Sequence, residues 1–290
     1  MINRLIFSFF ILYLLIVESS YARPRKDFES EIRFIKHLQA RGHYHEALFL
    51  LEHIQVGSLD QADTVNYLKG WMLYSQKDLE ASAFFLRQVR SESPFFDKSN
   101  FFAAYNYAYL GNTAVSLDLL SGFEYHPSNA VIAMANFQKA GIALLDRRFE
   151  DYEWHARSFK GGFAFMAAEE EKLNDYLSRL ESKKNPSPAL AGIMSAAVPG
   201  LGRIYAGKNA EGIAGFLYVG AMMLTTWDFY NRLGPRNGFF ISSAAITGVF
   251  YIGNILGSAT AAKRTNNEFN YEMDQRILLD LHIPLRRLFP

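Results

Sequence analysis

Residues 239–262 form a run of 24 residues without one charged side chain. A helix of that length rises about 36 Å, enough to cross the roughly 30 Å hydrocarbon core of a bilayer. A shorter apolar run, residues 213–227, precedes it, and the stretch between them holds Gly234, Pro235, Arg232 and Arg236. Two apolar helices joined by a short polar turn predict a membrane hairpin, with spans at about 211–229 and 239–262 in a module of residues 185–262.

The first residues carry a second targeting signal. Arg4 precedes an apolar stretch at residues 5–17, and Ser20-Tyr21-Ala22 offers small residues at both positions that a cut requires. This layout predicts a secretory signal peptide over residues 1–22, cleaved after Ala22. An uncleaved anchor is the competing reading, and either one exports the segment that follows. Cysteine is absent, which excludes a disulfide framework, thiolate metal sites, a cysteine nucleophile and a lipidated N-terminal cysteine. A formal net charge of +1 provides no field to attract nucleic acid.

Between residues 27 and 159 the sequence repeats itself. Asn66-Tyr67, Asn100-Phe101 and Asn136-Phe137 recur 34 and 36 residues apart, and each pair opens a helical stretch that ends at a polar break. Those breaks are Lys77-Asp78, Gly111-Asn112 and Arg147-Arg148, with an earlier one at Gly42-His43. A period of this size predicts stacked helix pairs, because one amphipathic pair cannot cover its own apolar face. The run Gly42-His43-Tyr44-His45-Glu46-Ala47-Leu48 resembles the turn and second-helix start of tetratricopeptide repeats. Gly70, Ala104 and Ala140 fall at one close helix crossing, and Ala47, Ser82 and Ser116 at another. Asparagine replaces the family's early tryptophan, and Tyr152 stands where the fourth unit needs a small residue. The resemblance implies a repeat domain over residues 23–184, closed by a capping helix whose acidic run, Glu169-Glu170-Glu171, is expected to be largely solvated. In that register the first helices line a concave surface. Tyr67, Trp71, Tyr74, Phe101, Tyr105, Tyr109 and Phe137 then form an aromatic groove for a peptide or helix, unless the rings fill the core.

Pro199-Gly200-Leu201-Gly202-Arg203-Ile204-Tyr205-Ala206-Gly207-Lys208 introduces the hairpin. This pattern, an apolar hairpin and a basic pair are similar to two-span domains of bacterial envelope proteins, several of which also carry tetratricopeptide-like regions. Arg203, Tyr205, Lys208, Lys263 and Arg264 suit the membrane interface, the basic ones by reaching toward phosphates. Gly253 and Gly257 make a GxxxG spacing that Gly248 extends. Its expected partner is the first span through Gly212, Gly215 and Gly220, or else a second copy of the chain. Asn254, polar at membrane depth, is expected to turn inward. Export of the repeats puts both outer ends of the hairpin outside the cytoplasm, whereas the count of flanking basic residues favours the reverse. Residues 263–290 predict an amphipathic tail, with Phe269, Met273, Ile277 and Leu281 four apart.

Gly202 to Lys208 nearly matches a phosphate-binding loop, but Asn209 replaces its magnesium-binding hydroxyl and no strand precedes it. His43 and His45, two apart, share no helical face for a metal, and no serine sits in a nucleophile elbow. The expected whole is therefore all-α: a tetratricopeptide-like solenoid plus a two-helix transmembrane hairpin, non-enzymatic, without metal or cofactor. Its expected place is the bacterial inner membrane with the repeats periplasmic. Its expected partners are the bilayer, a protein or peptide at the repeats, and a possible second copy through the hairpin, but no nucleic acid.

Overall fold

The computed structural model describes residues 27–161 and 163–289; the expected signal peptide lies outside the described residues. Among the described residues there are thirteen α-helices, one short 3-10 turn and no strand, so the chain is all-α. They divide into two compact units. One takes residues up to Ile142 with Leu288 and Phe289, and the other is Ala143–Arg287.

The first unit is built of helix pairs: α1 (Phe28–Ala40) with α2 (Tyr44–His53), α3 (Leu59–Ser75) with α4 (Leu79–Leu86), and α5 (Phe96–Tyr109) with α6 (Thr113–Ser121). Most of α7 (Asn129–Leu145) follows. Each pair turns in the same way. The backbone is left-handed at Gly42 (φ 80°), Lys77 (φ 65°) and Gly111 (φ 80°). The next N–H then reaches five residues back, from His43 to Leu38, Asp78 to Leu73 and Asn112 to Tyr107. This closure satisfies carbonyls that a helix end leaves orphaned. Arg147 (φ 59°) repeats it after α7, with Arg148 bonded to the Ala143 carbonyl. The four turns lie 35, 34 and 36 residues apart, matching the period read from the sequence.

Caps and small residues explain how the pairs close. Ser58 accepts from the Gln61 N–H while the Gln61 side chain accepts from the Gly57 N–H, a reciprocal start for α3. Gly70 is required where it stands, since a Cβ there would lie 2.5 Å from Leu86 Cγ. Ser82 Oγ donates to the Gly70 carbonyl at 2.8 Å, and Ser116 Oγ donates to the Ala104 carbonyl at 2.7 Å. One bond thus recurs 34 residues later. Ile32, Ile35, Leu51, Leu68 and Met72 fill the core around the first two pairs.

The second unit holds α8 (Phe149–Ala156), α9 (Ala167–Ser182), α10 (Pro188–Ala197), α11 (Leu201–Tyr205), α12 (Asn209–Leu233) and α13 (Gly238–Leu288). Two expectations are corrected here. The second span and the tail are one continuous helix of 51 residues, because residues 263–283 contain neither glycine nor proline to end it. Among the described helices, α13 alone is long and apolar enough to cross a membrane. The uncharged part of α12, residues 212–227, rises only about 24 Å.

The tail packs on protein. Met273, Ile277 and Leu281 are buried, and Asp280 accepts from Lys172 at 2.7 Å and from Tyr176 at 2.5 Å. Arg287 pairs with Glu169 at 2.8 Å, and Arg147 pairs with Asp274 at 2.7 Å. Glu169 and Glu170 are accordingly buried, which corrects the solvated face expected for them. These contacts join α9 and the turn before α8 to the tail, and the compact units, divided at Ile142 and Arg287, fall elsewhere than the boundaries 23–184, 185–262 and 263–290.

Candidate functional site

The expected aromatic stripe is present on α3, but only part of it is surface. Trp71 stacks near Tyr74 with ring centres 5.4 Å apart, and Tyr67 stacks on Phe95 at 4.3 Å. Phe102 meets Trp71 edge-on at 4.9 Å and Tyr74 at 5.1 Å. Lys98 Nζ lies 4.1 Å above the Trp71 ring, within cation–π range. Tyr67, Trp71 and Tyr74 are half-buried and Tyr109 is exposed. Phe101 and Phe137 are fully buried and Tyr105 nearly so, which corrects their place in a groove: they are core. Burial pushes the phenols of Tyr105 and Tyr67 above their ordinary value, so both stay neutral hydrogen-bonding groups. Phe95, Lys98 and Phe102 were missed by the sequence reading. The i, i+3 and i+7 spacing of 95, 98 and 102 on and before α5 was the available signal.

The second locus is the hairpin module, where α12 runs antiparallel to the first half of α13. Thr226 and Thr247 hydroxyls meet at 2.8 Å, and the rings of Tyr218 and Phe250 at 5.3 Å. At the outer end two ion pairs close the pair of helices, Glu211–Arg264 at 2.7 Å and Lys208–Glu268 at 2.9 Å. Tyr205 accepts from the Ser187 N–H at 3.1 Å, and Lys263 is exposed. Four of the five expected interface residues therefore sit at this polar end.

The Pro-Gly motif folds α10 and α11 tightly against this pair. A Cβ on Gly202 would lie 1.8 Å from the Ala191 carbonyl oxygen, and one on Gly200 2.0 Å from that of Gly212. Ser195 Oγ accepts from the Gly202 N–H at 2.9 Å and donates to Ser258 Oγ, which bonds the Asn254 carbonyl. Around this chain the packed residues are Ala191, Ala206, Ala261 and Ala262. The likeness to a phosphate-binding loop ends here, because Gly207 and Lys208 N–H groups close a helix turn and Lys208 pairs with Glu268.

Gly215 meets the second apolar helix as expected, while the placements of Arg203, Gly212 and the remaining glycines differ from expectation. Arg203 turns inward: its Nη2 lies 2.5 Å from where a Gly257 Cβ would be. Gly212 packs on Ile204 of α11, and Gly215 faces Asn254. A Cβ added at Gly220, Gly248 or Gly253 would meet nothing within 4 Å, so the GxxxG spacing does not join the two helices to each other. Asn254 is buried as expected. Outside, the module is apolar: Leu217, Leu224, Val249, Ile252 and Leu256 are all exposed. Among the described residues no group of three or more His, Asp or Glu could hold a metal. No family model matches the chain, and neither does any curated protein or solved structure.

Proposed function

We propose that this chain is a non-enzymatic, membrane-anchored adaptor of the bacterial cell envelope, with α13 crossing the inner membrane, α12 packed along it, and the helix pairs outside the cytoplasm. The observation that carries the reading is the inverted polarity of the hairpin module. Exposed leucine, isoleucine and valine cover its outside, while serine, asparagine and glycine fill its inside. An apolar exterior of this extent is costly in water and favourable in lipid. The repeated turn at Gly42, Lys77, Gly111 and Arg147 supports a tetratricopeptide-like array. Arrays of that kind bind proteins, and the partly open Trp71, Tyr74 and Tyr109 are where a partner would rest.

One observation favours a second reading, in which the hairpin assembles with another copy and the repeats regulate it. Gly220, Gly248 and Gly253 face open space, and small residues exposed to lipid permit close helix approach. Photocrosslinkers at Trp71 and at Gly253 separate the two readings. A different protein captured from Trp71 supports the adaptor, while self-crosslinks from Gly253 with nothing at Trp71 replace it by the second reading.

Topology is tested with single cysteines, using the native absence of cysteine. The variants Asn185→Cys, Asn237→Cys and Asn267→Cys are exposed to a thiol reagent that cannot cross the inner membrane. Labelling at 185 and 267 with protection at 237 is expected. The inverse pattern would move the repeats to the cytoplasm, and labelling of all three sites would remove the membrane assignment.

A further inference from the structure

Arg203 is a cation without a counter-charge in the module that the preceding reading places in lipid. Its Nε is buried with no hydrogen-bond partner, and its one polar contact among the described residues is a 3.5 Å approach of Nη1 to the Glu211 carbonyl. The nearby carboxylates are engaged elsewhere, Glu211 with Arg264 and Glu268 with Lys208. Asn254, only 4 % exposed, has both amide atoms unpartnered.

The two groups converge. Measured from where a Gly215 Cβ would stand, Asn254 Oδ1 is 3.0 Å away and Arg203 Nη1 is 3.3 Å away. On the other side the guanidinium rests against Gly257. Two glycines thus hold open the space that guanidinium and carboxamide share. Gly215 and Gly257 lie four and seven residues inside the Glu211–Arg264 pair, about 6 and 10 Å along their helices. At that depth an unpaired guanidinium is costly and requires an anion.

We propose that Arg203 and Asn254 form a binding site for a phosphate group, supplied by a phospholipid seated against α12. The planar guanidinium fork suits two phosphate oxygens. Asn254 turns its Oδ1 toward the guanidinium, and rotating its carboxamide by half a turn presents Nδ2–H donors to a third oxygen. Ile213 and Phe216, both exposed on either side of Gly215, offer apolar surface for the acyl chains. The proposal rests on the membrane reading, and the test is arranged so that the two fail separately.

The full chain is purified in a maltoside detergent, which carries no phosphate, and its melting temperature is followed on addition of phosphatidylglycerol, of diacylglycerol with the same chains, or of inorganic phosphate. Phosphatidylglycerol is expected to raise the melting temperature and diacylglycerol to leave it unchanged. In Arg203→Gln the phosphatidylglycerol needed for half the shift should rise at least about tenfold. Gly257→Ala keeps the arginine but places a methyl against its flexible end, and should weaken the lipid response without lowering the lipid-free melting temperature. An Arg203-dependent response to inorganic phosphate equal to that of the lipid would keep the site and make the source a free anion. Equal responses to phosphatidylglycerol and diacylglycerol, or equal responses of wild type and both variants, would overturn the site. Flotation with phosphatidylcholine vesicles tests the membrane reading independently, because the micelle measurement holds whether or not the chain floats.

Discussion

The helix pairs of the first unit and the hairpin module of the second use opposite materials for the same task. In the first, Phe101, Phe102, Phe123, Leu86 and Met72 are fully buried, and stability comes from apolar bulk removed from water. In the second, backbones meet at Gly200, Gly202 and Gly212, and the large apolar side chains point outward. The difference is the one expected between a surface facing water and, under the function proposed above, a surface facing lipid. Burying bulk is favourable only where the alternative is water. Where the alternative is hydrocarbon, close backbone contact and buried hydrogen bonds replace it.

The comparison can be broken most sharply at Gly202. A side chain there meets the Ala191 carbonyl oxygen at 1.8 Å, and no rotamer change moves a backbone. Gly202→Val should cost more than about 4 kcal/mol and abolish the protease-resistant fold of the module. If Gly202→Val resists proteolysis like wild type, close backbone contact is not what holds this unit. Gly253→Ala, facing open space, is the matched control and should fold normally.

In the first unit the equivalent weak point is bulk. Phe101→Ala should cost about 3–5 kcal/mol, read as a fall in the denaturation midpoint. A cost below that of a surface alanine would mean that the ring is not core. Next in size is Ser82→Ala. This hydroxyl donates to the Gly70 carbonyl and accepts from Asn106 Nδ2 at 2.9 Å, so its loss leaves buried groups unpaired and should cost about 1–3 kcal/mol. Ser116→Ala should act in the same sense if the two bonds are equivalent parts of a repeat.

The smallest expected effect tests the polar part of the second unit outside the hairpin. Burial pushes the Glu170 carboxyl above its ordinary 4.5. A raised folded value means that the protonated form is favoured in the fold. The associated stability is therefore present below 4.5 and lost as pH rises through the folded value. Glu170→Gln should melt slightly above wild type at neutral pH, with the gain vanishing in acid. A gain that does not change with pH would show that ionisation of Glu170 is not its source.

Much of the first unit was legible because its signals are local. A Gly-His or Gly-Asn break sets a left-handed turn within a few residues, and its recurrence reports the pairs directly. Lys77 and Arg147 occupy the same backbone state without glycine, and only their register could reveal it. The aromatic stripe was legible as spacing but not as exposure. Whether Phe101 faces a groove or a core depends on Phe123, whose ring centre lies 4.5 Å away and which comes from the turn after α6. Glu169 was misread for the same reason, since its partner Arg287 lies 118 residues on.

By itself the sequence determined the helical class, the places of the turns and the presence of a helix able to cross a bilayer. Each of these depends on composition and period within one or two turns of chain. Tertiary structure alone decided that the tail continues α13 along α9 and that Glu169 is buried. It also decided that Arg203 points into a notch between Gly215 and Gly257 instead of outward. Those outcomes depend on which distant residues leave space and which supply charge, and neither is written in the local order of residues.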